Sequence, residues 1–85
     1  MAYSVIATQK HLERASKFHG MRINGIEHVT FSVAVQMAEL AKATFIKKYR
    51  ILGIRPLEYD DKLFFERESL LDKIAKGCFE KYVRR

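Results

Sequence analysis

The residues of this chain best suited to chemistry are cations. Lys42, Lys47, Lys48, Arg50 and Arg55 fall within fourteen residues that contain no Asp or Glu. A run of one sign on and after a helix end sets up a field that attracts phosphate. Lys10, Arg14 and Lys17 recur at spacings of four and three, so a helix would group them on one side and extend that field. The charge is unevenly spread. Of a formal net charge of +6, residues 1–55 carry nine Lys or Arg against three acids, whereas residues 56–85 carry seven of each. This pattern predicts a polyanion surface. The expected ligand is nucleic acid, DNA or RNA, held through its phosphate backbone; an acidic protein surface is the alternative partner.

Groups for catalysis or metal binding are scarce. His11, His19, His28 and Cys78 lie far apart in the chain, and no two have the short spacing that closes a zinc site. Cys78 falls with Ile74 and Tyr82 on an apolar helical row, where a thiol packs as a small hydrophobe. Glu58, Asp60 and Asp61 precede a helical stretch. Their expected role is to cap its free N–H groups rather than to do acid–base work or hold magnesium. The glycines are too scattered to cradle a phosphate, and no Gly-aromatic box, Gly-x-x-Gly clamp or zinc-finger spacing is present. The expectation is therefore a non-enzymatic regulatory protein without metal or cofactor. The alternative is a small adaptor or inhibitor that docks on a larger protein, with Tyr59, Phe64, Phe65 and Phe79 supplying either its anchor or simply its core.

These residues must be positioned by a short chain. At 85 residues, 48% hydrophobic and 31% charged, it has the balance of one globular domain, 1–85, too small for a barrel or a doubly wound sheet. One cysteine cannot make an internal bridge, which suits a reducing cytosol. No apolar stretch has the length of a secretory signal or a membrane span. A core this small favours self-association, so a homo-oligomer is expected, with a dimer as its simplest symmetric form.

The punctuation is Gly20, Asn24-Gly25, Gly53, Pro56 and Gly77, and no internal repeat is visible. Residues 2–7 read as a short strand or as the lead into a helix. A first helix is expected from Thr8 to His19, stopped by Gly20. Met21–Ile23 and Ile26–Phe31 flank Asn-Gly and predict a hairpin. A second helix is expected from about residue 32 or 33 to 52, with Ala34, Met37, Ala38, Ala41, Phe45, Tyr49 and Leu52 inward. A third is expected over 61–83, with Leu63, Phe64, Leu70, Leu71, Ile74, Cys78 and Tyr82 inward; Gly77 either weakens it or ends it. The predicted class is α+β, mainly α: a short N-terminal helix, a small β-hairpin and two long antiparallel helices.

Overall fold

Residues 5–79 are described by the structure, a computed structural model, with side chains described from residue 9 onward. Helix α1 (Val5–Ala15) leads into a hairpin of β1 (Met21–Ile23) and β2 (Ile26–Thr30). Two helices follow, α2 (Phe31–Ala38) and α3 (Lys42–Ile51). A second hairpin, β3 (Leu57–Tyr59) and β4 (Lys62–Glu66), precedes α4 (Arg67–Ala75). The strands form one antiparallel half-barrel sheet in the order β1-β2-β4-β3. Among the described residues no helix is long and apolar enough to cross a membrane.

This corrects the predicted architecture at three places. The first helix runs Val5–Ala15 rather than Thr8 to His19, so Gly20 does not stop it. The continuous helix expected through residue 52 breaks at Glu39, which takes left-handed backbone angles (φ 59°) and closes α2 with its N–H on the Val35 and Gln36 carbonyls. Ala41 is extended and starts α3. The break lets α3 turn and bring Phe45 and Tyr49 onto the sheet. The long third helix is instead a hairpin followed by a shorter helix. Asp60 and Asp61, expected to be helix caps, both adopt positive φ (55° and 62°) and form a two-residue turn like that at Asn24-Gly25 (54° and 81°). Leu63 and Phe64 are then neighbours on a strand and point to opposite faces, not along one helical row. The helix that follows ends at Ala75, and Gly77 adopts positive φ just beyond it. Tyr82 and the rest of the expected helix after residue 79 lie outside the described residues, as do residues 2–4 of the strand alternative.

The chain contains a repeat that its residue identities conceal. Met21 and Leu57, Ile26 and Lys62, and Phe31 and Arg67 open corresponding elements, each pair 36 residues apart. The pairing Met21↔His28 recurs as Leu57↔Phe64, and Ile23↔Ile26 as Tyr59↔Lys62. Between the halves, β2 and β4 meet as His28↔Glu66, Val29↔Phe65 and Thr30↔Phe64, a register symmetric about Val29–Phe65. A pseudo-twofold axis therefore passes through that pair.

Residues paired across antiparallel strands share a face, and faces alternate along a strand. Val29, Leu63 and Phe65 face the helices. The core there joins Ala34, Met37, Phe45, Tyr49, Leu70, Ile74 and Phe79. Its centre is aromatic: the Phe45 ring lies 5.4 Å from those of Tyr49 and Phe65, 5.8 Å from Phe31 and 5.9 Å from Phe79. Met21, Ile23, Ile26, His28 and Thr30 lie on the opposite face with Leu57, Tyr59, Lys62, Phe64 and Glu66, and no described helix covers it.

Two polar devices fasten the connection between α1 and β1. Buried Arg67, at the start of α4, donates through Nε to the Phe18 carbonyl and through Nη2 to that of Ser16, both at 2.7 Å. It thereby satisfies carbonyls exposed where α1 ends. Glu27 accepts the Gly20 N–H at 2.8 Å and faces His19 Nδ1 at 3.3 Å. The Gly20 N–H, with smaller help from His19 and Arg67, holds the Glu27 carboxyl below its ordinary value. A carboxyl pKa lowered by folding stabilises the fold above its unfolded value, and that contribution disappears as pH falls through the lowered folded value. Glu27→Gln is thus expected to flatten part of the acid limb of stability against pH. A Glu27 carboxyl that titrates by NMR at or above the ordinary value would contradict this assignment.

Candidate nucleic-acid interface

Helix α3 carries most of the cationic group. Phe45 and Tyr49, four apart, turn inward, so Lys47 and Arg50 project from the opposite side into solvent, beside exposed Ile51. Lys42 is exposed in the first turn, and Arg55 is exposed in the connection to β3. Lys48 differs: it is half-buried, and its Nζ donates to the Cys78 carbonyl at 3.4 Å. Among the described residues, none of Lys42, Lys47, Lys48, Arg50 and Arg55 forms an ion pair with a carboxylate.

Helix stability accounts for only some of these charges. Lys48 and Arg50 complement the carbonyls of the last turn. Lys42 stands at the opposite, N-terminal end, where the first turn has no acid and Ala41 offers no side-chain cap. A cation there costs a few tenths of a kcal/mol, roughly. The helix is held instead by its two buried rings.

The cations of α1 form a separate group. Lys10 and Lys17 are exposed, but Arg14 forms a fork with Glu39, Nε to Oε2 at 2.6 Å and Nη2 to Oε1 at 2.9 Å. Its charge is thus matched locally, at the residue where the middle helix breaks. Helix α1 packs on α4 and α2, whereas α3 meets α2, so the two groups do not share a helix–helix contact among the described residues.

The fold adds one cation that sequence reasoning does not select. Lys73 of α4 lines a hollow of about 250 Å³ with Arg55, Gly53, Ser69 and Glu66. Ser69 donates its hydroxyl to Glu66 at 3.2 Å. Nothing in the sequence signals this meeting, because it depends on the second hairpin folding α4 back toward the end of α3.

The histidines are occupied structurally. His11 is buried, and its Nε2–H donates to the Met37 carbonyl at 2.8 Å. His28 is buried, and its Nδ1–H donates to the Ile26 carbonyl at 2.8 Å. Cys78 is half-buried. Among the described residues, no three His, Cys, Asp or Glu side chains come together as a metal site. Comparison with family models, curated proteins and solved structures finds no match for this chain.

Proposed function

We propose that this chain is a non-enzymatic, regulatory nucleic-acid-binding protein. Lys42, Lys47, Arg50 and Arg55 contact the phosphate backbone, with Lys48 and Lys73 adding to the local field. The outriders on α1 are Lys10 and Lys17; Arg14 contributes less, since Glu39 shares its charge. The observation that supports this reading is the acid-free cationic side of α3, exposed and without carboxylate partners among the described residues. Phosphate neutralises such a surface and releases counterions, which drives association without sequence-specific contacts. A reducing cytosol suits the single thiol, Cys78.

Labelled duplex and single-stranded oligonucleotides, titrated at two salt concentrations, test the proposal. Wild type is expected to bind at low salt and to weaken steeply as salt rises. Lys47→Glu with Arg50→Glu should weaken binding by roughly tenfold or more and shallow the salt slope by about one for each phosphate no longer neutralised. Both side chains are exposed, so circular dichroism should not change. Absence of binding at low salt, or full binding by the double variant, would reject this interface and favour the adaptor reading.

A further inference from the structure

We infer that the uncovered face of the sheet is closed by a second copy of this chain, concave face to concave face. Curvature is the first observation. Flat strands spaced about 4.8 Å apart would hold the edges of a four-stranded sheet about 14 Å apart. Here one hollow of about 450 Å³ is lined both by Met21 and Ile23 of edge strand β1 and by Tyr59 and Lys62 of the other hairpin. A second hollow, of about 270 Å³, joins Ile23 and Ile26 to Leu57. The sheet is therefore curled like half a barrel, and eight strands is the number at which side chains can fill a closed interior.

The second observation is what lines it. Five large apolar side chains are exposed among the described residues, and Met21, Ile26, Leu57 and Tyr59 all lie on this face; Ile51 alone lies elsewhere. Phe64 forms the floor between them. Apolar surface gathered in this way marks an interaction site.

The third observation selects the occupant. Along β4 the open face reads Lys62, Phe64, Glu66, with opposite charges at either end of an aromatic centre. A copy turned end for end lays Lys62 against Glu66 of the second copy, and Glu66 against its Lys62. The same rotation sets β1 beside β1 and β3 beside β3, antiparallel, and covers both short edges. The face is thus self-complementary in charge as well as in apolar surface. Helix α3 lies in the other layer, so Lys42, Lys47 and Arg50 stay free for phosphate; Arg55 alone of the proposed phosphate contacts lines the second hollow, beside Ile26 and Leu57, and would lie at the seam.

Sedimentation equilibrium on the full chain tests it. Wild type is expected at twice the 10.0 kDa chain mass. Met21→Glu and Tyr59→Glu, both at exposed positions, should sediment at the chain mass with unchanged circular dichroism. Lys62→Glu alone should raise the dissociation constant about tenfold, and adding Glu66→Lys should restore it. A wild type that remains monomeric across the concentration range overturns the inference, as does a dimer indifferent to Met21→Glu and Tyr59→Glu. If the chain is monomeric and Tyr59→Glu abolishes oligonucleotide binding, the groove belongs to nucleic acid and the inference falls.

Discussion

Phe45→Ala is expected to lower the unfolding free energy by about 4 kcal/mol, within the range for deleting a buried aromatic ring. Phe45 is fully buried, and its ring meets those of Phe31, Tyr49, Phe65 and Phe79. Those partners come from α2, α3, β4 and the segment after α4, so one deletion opens a cavity at a four-way junction. Aromatic pairs also contribute roughly 0.5–1.5 kcal/mol each beyond area burial. Against a total of about 5–15 kcal/mol for a small domain, that is a large fraction. The melting temperature should fall by about 20 °C. Thermal and denaturant unfolding check this, with Ile51→Ala as the control: Ile51 is 80% exposed on the same helix and its truncation should be close to neutral. A Phe45→Ala penalty below about 1 kcal/mol would mean that the ring cluster does not hold α3.

The consequence extends to the candidate interface. Helix α3 has no side-chain N-cap, a cation in its first turn and only ten residues. Such a segment is marginal in isolation. Its cations project outward only because Phe45 and Tyr49 are anchored, so stability and the geometry of Lys47 and Arg50 share one cause. The Phe45→Ala variant should therefore lose oligonucleotide binding together with helicity, whereas Lys47→Glu with Arg50→Glu should lose binding alone.

The first hairpin is legible in the sequence because Asn-Gly carries its backbone preference with it: both residues tolerate positive φ wherever they stand. Asp60-Asp61 forms the corresponding turn in the second half, but Asp is equally at home capping a helix. Leu63-Phe64-Phe65 fits a strand or a buried helical segment, since a short apolar run shows no decisive period. With both signals ambiguous, a helix expected over 61–83 swallows the hairpin. The break at Glu39 is beyond local reading, because Met37 to Leu40 are ordinary helix residues. It is imposed by tertiary structure, through the turn that lets Phe45 reach Phe65. The repeat is hidden for a related reason: corresponding residues such as Phe31 and Arg67 perform different tasks, one joining the aromatic cluster and the other satisfying carbonyls at the end of α1. The cationic segment of α3 is readable because it is a matter of composition. The engagement of Arg14 by Glu39 and the approach of Lys73 to Arg55 are not, since each depends on one of the two unsignalled breaks.

Gly20→Ala is expected to cost about 3 kcal/mol or more, at or above the upper end for inserting one carbon into packed structure. The sequence suggests that Gly20 stops the first helix, yet α1 ends at Ala15 and Gly20 serves another purpose. A Cβ at this position would lie 1.8 Å from the carbonyl oxygen of His28 and 3.0 Å from the Cα of Val29. Both obstacles are backbone, so no rotamer change relieves them. The chain cannot easily retreat, because the Gly20 N–H is bonded to Glu27 and Val29 sits on the pseudo-twofold axis against Phe65. Gly25→Ala provides the contrast. Its Cβ would meet nothing within 4 Å, but φ is +81°, so the penalty is only the dihedral one, about 1–2 kcal/mol. Comparing the two variants by denaturant unfolding separates steric exclusion from backbone preference. If Gly20→Ala proves the milder substitution, the close approach of the α1–β1 connection to β2 is wrong.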